Sequence, residues 1–326
     1  MLTYWNNYPT IQNKLQTVCS LIEERLKVEN PDIQDALIEM TQAGGKFLRP
    51  AFFFFFSDLG NPEKQDSDQL IKIAASLELL HMATLVHDDI IDDSPLRRGV
   101  ATIQSRFGKD IAVYTGDLLF TVFFDLIIET MNASEYMAVN ALAMKQLLLG
   151  ELNQMASRYN SKGSVENYLN NINGKTAELF SLACLEGAAF GQTSPEIVTQ
   201  ASEIGRNIGM AFQIFDDILD YTADKKELKK PVLEDFVQGV YTLPLLLAKE
   251  AQPDVFSPYF EKGSQVTLAE AEEVMKLVIK HGGVKQAKKY AQRYTNDALE
   301  SIDRLPKSDT RKALKKLTTQ LLIRTY

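Results

Sequence analysis

Apolar residues recur at helical spacing along nearly the whole chain, and the spacing predicts long helices with few interruptions. Asn30 before Pro31 reads as an N-cap followed by proline at the first helical position, and Ser194-Pro195-Glu196 repeats the signature. Thr267 with Glu270 predicts a capping box opening an amphipathic helix to about Lys280, which Gly282-Gly283 then ends. From Asp309 to Arg324 the pattern is a basic amphipathic helix with a solvated outer face. Two stretches are apolar on every side, about Leu70 to Asp93 and about Ile204 to Leu219, as expected of helices buried inside a bundle. Phe52 to Phe56 predicts a helix buried on most faces, with a short buried strand as the alternative. The expected fold class is all-α.

Composition narrows this further. The chain has 326 residues, 45% hydrophobic, with no composition break, so 1–326 reads as a single domain. Gly (17) and Pro (11) are sparse, which suits long helices rather than turn-rich sheets. A net charge of −8 argues against a nucleic-acid partner. Cys19 and Cys184 form no CxxC and no disulfide framework. The N-terminus lacks a basic segment followed by an apolar stretch, so no signal peptide is expected. The longest apolar runs are interrupted by Lys72, Glu78 and His81, so no membrane span is expected and the expected location is cytoplasmic.

The two apolar helices carry the chemistry. Each contains DDxxD: Asp88, Asp89 and Asp92 in the first, followed by Asp93, and Asp216, Asp217 and Asp220 in the second. Helical spacing i, i+1, i+4 sends three carboxylates to one side, where they repel. A divalent cation is the natural compensation, and Mg²⁺ prefers hard oxygens completed by water and phosphate. Two facing clusters are expected to clamp a diphosphate through several ions. One DDxxD read alone is an acidic helix end on a solvated surface; two, each in an apolar helix, point to a site. Cations follow in the sequence at Lys46, Arg49, Arg97, Arg98, Lys175 and Lys230, the residue types that hold phosphate. Gly44-Gly45 before Lys46 permits close backbone approach. There is no P-loop, Rossmann fingerprint, GxSxG or EF-hand loop.

The ordered motifs Gly44-Gly45-Lys46-Phe47-Leu48-Arg49-Pro50, His81 through Asp93, Arg97-Arg98-Gly99, Gly116-Asp117, Gly150-Glu151-Leu152, Lys175-Thr176-Ala177, Phe212 through Asp220, Lys230-Pro231, Asp235, Gly239 and Thr242-Leu243-Pro244 resemble the trans-polyprenyl diphosphate synthases. They cover roughly residues 40 to 250. The resemblance implies one helical bundle of the isoprenoid-synthase type around a central cavity. It implies a magnesium-dependent 1′-4 condensation of isopentenyl diphosphate with an allylic diphosphate, giving an all-trans polyprenyl diphosphate. By the same resemblance, Lys46, Arg49, His81 and Arg98 hold isopentenyl diphosphate. Arg97, Lys175 and Lys230 hold the allylic diphosphate. Magnesium, three ions per site with the diphosphate, sits on Asp88, Asp89, Asp92 and Asp216, with Asp217 and Asp220 as further ligands. Thr176 and Gln213 lie near the nascent cation and complete a catalytic set with Lys175, Arg97 and Lys230, while Asp235 orients Lys230. Leu85, Phe212 and Phe215 are the apolar walls that keep water from the cation.

The chain departs from the family pattern at Phe47, at Lys229, and at Pro231-Val232-Leu233-Glu234, which lacks the usual glycine. Ala83 and Thr84, five and four residues before Asp88, are small where short-chain members carry an aromatic, so a product beyond fifteen carbons is expected. The resemblance further implies a homodimer, or a heteromer with a small non-catalytic subunit, and transient contact with a membrane surface for product release. A terpene cyclase has no need of the Lys46–Arg49 site, and a non-catalytic scaffold subunit usually loses one acidic cluster, whereas both are present here.

Overall fold

The computed structural model describes residues 2–42, 45–222 and 234–322. They fall into two compact units, residues 1–141 with 182–202, and 142–181 with 203–326.

The first unit opens with α1 (Pro9–Arg25), α2 (Pro31–Gln42) and α3 (Leu48–Ser57). Asn30 caps α2 as expected, its side chain accepting from the backbone N–H of Asp32 at 3.0 Å and Ile33 at 3.2 Å. The phenylalanine run lies in α3, so the helical reading holds, and all five rings are buried. Phe47 is the N-cap of α3 in the left-handed region, with φ 49°.

At the centre of this unit is α4 (Ser67–Ile91), against which α1, α3 and α6 (Lys109–Met131) pack. Its apolar residues surround the axis, so it buries nearly every face. Between α4 and α6 come a hairpin, β1 (Leu96–Arg97) with β2 (Val100–Ala101), and the short α5 (Ile103–Phe107). No local pattern announces strands of two residues. What makes the hairpin is its turn: Arg98 (φ 54°) and Gly99 (φ 84°) both take positive φ, the requirement of a two-residue type I′ connection.

By length and mean hydropathy alone α4 and α6 could cross a bilayer, although Lys72 and Glu78 in α4 and Asp117 and Asp125 in α6 interrupt any uncharged run, as expected. In α4 most of that apolar surface is buried within the protein.

α7 (Tyr136–Ala156), α9 (Glu178–Phe190) and α10 (Pro195–Thr222) each contribute residues to both units. The proline start at Pro195 and the apolar stretch from Ile204 belong to one helix of 28 residues. The second unit adds α8 (Val165–Ile172), a π-turn over Asn173–Ala177, and α11 (Glu234–Val237) through α16 (Asp309–Leu322). Its core gathers Tyr168, Ile172, Met210, Ile214 and Ile218 with Leu245, Phe256 and Val274. The capping box of Thr267 and Glu270 opens α14 (Leu268–Lys280), and Gly282 (φ 79°) separates it from α15 (Gly283–Arg304).

Candidate active site

In the first unit the acidic cluster lies where α4 ends. Asp88 and Asp89 are in its last turn, Asp92 is the C-cap, donating its backbone N–H to the Asp88 carbonyl at 2.9 Å, and Asp93 lies beyond. The three carboxylates are not equivalent. Asp89 is 6% exposed, and Arg97 donates to its Oδ1 from Nε at 2.7 Å and Nη2 at 2.6 Å. Asp88 and Asp92 are half-buried. The hairpin thus fixes the middle carboxylate through a charge-assisted pair.

The cations expected to take isopentenyl diphosphate gather in this same unit. Arg49 is in the first turn of α3, His81 in mid-α4 and Arg98 at the hairpin tip. Lys46 is exposed, its ammonium over the Tyr4 ring at 5.1 Å and its carbonyl accepting from Trp5 Nε1 at 2.6 Å. Burial first, opposed by Glu78, lowers the Arg49 pKa to about 10, which leaves it charged at neutral pH. Burial, reinforced by Arg49, Arg98 and Arg97, drives His81 well below the usual imidazole range, so its ring is neutral and can donate from one nitrogen. A pocket of the same unit is lined by Gly45, Glu78, Asp89, Arg97 and Arg98, with Met82 and Leu85 as apolar wall. Ala83 is fully buried, while Thr84 is half-buried with its hydroxyl donated to the His81 carbonyl at 2.8 Å.

In the second unit the other cluster rides on α10. Asp216 is exposed, Asp220 half-buried and Asp217 5% exposed. Again the middle carboxylate is engaged: Tyr168 Oη donates to one oxygen at 2.5 Å and Gln213 Nε2 to the other at 2.8 Å. Burial, with Asp235 nearby, pushes the Asp217 pKa well up, and the two donors oppose this. Gln213 in turn accepts from the Thr176 hydroxyl at 2.8 Å, so Thr176, Gln213, Asp217 and Tyr168 form one chain of hydrogen bonds. Phe212 packs on Phe180, with ring centroids 5.6 Å apart.

Lys175 and Thr176 sit in the π-turn, a form frequent at functional sites. Lys175 reaches Glu151 and Gln154 of α7, each at 2.8 Å. This gives the Gly150-Glu151-Leu152 motif its place: Gly150 allows the close approach and Glu151 pairs with the lysine. Lys230, Pro231 and Gly44 lie outside the described residues, and with Lys230 the expected partner of Asp235.

Sequence reasoning missed Tyr168 and Gln154, which stand on amphipathic helices with no local mark. It noted Glu78 only as an interruption, although a carboxylate inside an otherwise apolar helix is itself a signal.

Among the described residues no three His, Cys, Asp or Glu side chains converge tightly enough to cage a metal unaided. The donors of the two acidic clusters are hard carboxylate oxygens, which suit magnesium completed by water and substrate phosphate.

The chain matches the polyprenyl synthetase family over residues 30–278. It is 32% identical over 319 residues to heptaprenyl diphosphate synthase component 2 of Geobacillus stearothermophilus, covering 98% of both chains. Geranylgeranyl pyrophosphate synthase from Lactobacillus brevis ATCC 367 superposes with a TM-score of 0.94 at 40% identity, covering 99% of this chain and all of that one. A polyprenyl synthase from Caulobacter crescentus CB15, complexed with calcium and isoprenyl diphosphate, gives 0.89 at 31% identity, covering 98% and 97%. The fold is the all-α isoprenoid-synthase fold, and the enzyme class is prenyltransferase. The chain belongs to the polyprenyl synthetase family.

Proposed function

We propose that this enzyme condenses isopentenyl diphosphate with an allylic diphosphate, in a magnesium-dependent head-to-tail step, to give a long-chain all-trans polyprenyl diphosphate. The observation that carries the reading is the repeated design of the two DDxxD motifs. In each, the middle carboxylate is locked by protein donors, to Arg97 in one and to Tyr168 and Gln213 in the other. Asp88, Asp89, Asp92 and Asp216 are the magnesium ligands, with Asp217 and Asp220 as further ligands through water, and the donors to Asp89 and Asp217 orient those two carboxylates. Magnesium, when bound, neutralises the diphosphate charge that develops as the allylic C–O bond breaks.

The chain's own residues do the rest. Arg97, Lys175 and Lys230 hold the allylic diphosphate. Arg49, His81 and Arg98, with Lys46 at the rim, hold isopentenyl diphosphate. The isopentenyl double bond attacks the allylic cation at C1, and the resulting cation loses a proton to the released diphosphate, so no dedicated protein base is required. Thr176 and Gln213 present lone pairs near the cation, while Leu85, Phe212 and Phe215 exclude water. The 1–326 chain acts as one catalytic domain in the cytoplasm.

The small side chain of Ala83, five residues before Asp88, and the heptaprenyl and longer relatives support a product beyond fifteen carbons. We also propose a homodimer. Tyr114, Phe124 and Ile128 form an exposed apolar stripe on α6, and Leu142, Leu149 and Leu152 form another on α7. The name of the Geobacillus relative keeps a small second subunit as the alternative partner.

The test is incubation of the purified chain with Mg²⁺, labelled isopentenyl diphosphate and allylic primers of five to twenty carbons, with dephosphorylated products sized. A ladder ending in one chain longer than fifteen carbons is expected. A fifteen-carbon end product overturns the long-chain reading, and no incorporation from any primer overturns activity of this chain alone.

A further inference from the structure

Glu78 is a carboxylate in the middle of the apolar helix α4, and it is 4% exposed. It lines the pocket of the first unit together with Arg98. Gly45 marks how closely these groups approach. A Cβ built there would lie 2.8 Å from Arg98 Nη1 and 3.5 Å from Glu78 Oε1. A charge is costly to bury, and a buried carboxylate that faces a pocket points to what enters it.

The charges that act on Glu78 are few. Arg49 comes from α3 and Arg98 from the hairpin, and both favour its ionised form against the burial that raises its pKa. From α1 it is faced by Cys19, whose thiol burial and Glu78 together push up to about 12, so it is uncharged. On its own helix His81 is neutral. Among the described residues Arg49 and Arg98 are the cations that support its charge.

A diphosphate that settles on Arg49 and Arg98 brings its own negative charge and claims that support. Two anions then share one set of cations in a buried place, the arrangement that forces one of them to hold a proton. We infer that Glu78 takes up a proton from solvent when isopentenyl diphosphate binds, and as a neutral acid donates its O–H to a phosphate oxygen. No covalent bond changes: one proton passes from water to the carboxylate and is returned on release. Glu78 is thus a binding residue for the diphosphate, its affinity contribution present at lower pH and lost as pH rises. The inference rests on the reading that Arg49 and Arg98 bind the isopentenyl diphosphate group.

The test is calorimetric titration of the full chain with isopentenyl diphosphate, without allylic primer, in two buffers of different ionisation enthalpy at one pH. The difference in apparent enthalpy counts the protons exchanged. Wild type is expected to take up about one proton more per molecule bound than Glu78→Gln, which keeps the shape and the donor without a titrating group. Equal proton counts with both proteins binding overturn the inference alone. Binding to neither overturns the diphosphate assignment and the inference with it. Should Glu78→Gln not fold, the infrared difference spectrum of wild type on adding isopentenyl diphosphate decides. A gained carboxylic-acid carbonyl band with a lost carboxylate band supports the inference, and unchanged carboxyl bands overturn it.

Discussion

Asp89 and Asp217 hold the same place in their motifs, second of three, and both are engaged inside the protein, one by a guanidinium and one by a phenol and an amide. Helical spacing shows three carboxylates on one side but not which of them the fold will claim, because Arg97 and Tyr168 come from other elements. Replacing Asp88 with alanine is expected to lower metal-dependent turnover by at least ~100-fold while circular dichroism and melting temperature stay near wild type. Turnover within a few-fold of wild type removes Asp88 from the metal site. A different residue governs stability. Glu186 is fully buried, its Oε1 accepting from Asn140 Nδ2 at 2.5 Å, while Glu186 Oε2 and Asn140 Oδ1 are buried without a partner. A proton on Glu186 closes an acid–amide ring and satisfies both oxygens. Burial, opposed by the Asn140 hydrogen bond, pushes its pKa from 4.5 up to about 8. The folded state therefore binds this proton more tightly than the unfolded one. The stability it gives is full below about pH 4.5 and is lost as pH rises through about 8. Glu186→Gln, which closes the same ring without a titrating proton, is expected to flatten the fall of melting temperature between pH 6 and 9 by the equivalent of a few kcal/mol. Parallel curves for the two proteins exclude a buried proton there.

At the scale of elements, the π-turn over Asn173–Ala177 gives Lys175 and Thr176 their directions, and α7 holds the turn in place. Gly150 permits the contact: a Cβ there would lie 2.5 Å from the Lys175 backbone nitrogen and 3.0 Å from the Gly174 carbonyl carbon. Gly150→Ala is therefore expected to displace the turn, costing about 1–3 kcal/mol of stability and a larger fraction of turnover than of stability. Thermal melts and kcat measured together check this, and an unchanged kcat shows that α7 does not position Lys175. The helices themselves were legible from apolar period and caps, down to Asn30, Pro195 and the Thr267–Glu270 box. The hairpin and the π-turn were not. Each is too short for a periodicity, and each depends on unusual backbone geometry, positive φ at Arg98 and one residue too many per turn at Lys175. Both carry basic residues that the sequence did single out, so the chemistry was readable before the geometry that aims it.

For the whole molecule, the apolar stripe on α6 predicts that the purified chain sediments as a dimer at micromolar concentration, and a monomer at that concentration contradicts the homodimer. The acidic net charge argues against a nucleic-acid partner but does not disfavour anionic substrates, because the cations are local: Arg97 and Arg98 line one pocket and Arg49 acts on its Glu78 in a chain of net charge −8. Everything proposed for the reaction depends on a metal reaching the carboxylates of the two DDxxD motifs. The most direct test is a magnesium titration of metal-stripped protein, measuring incorporation of labelled isopentenyl diphosphate onto a fixed allylic primer. Incorporation absent without metal and rising to saturation with Mg²⁺ is the expected result; incorporation at the same rate in chelator as in Mg²⁺ contradicts the account.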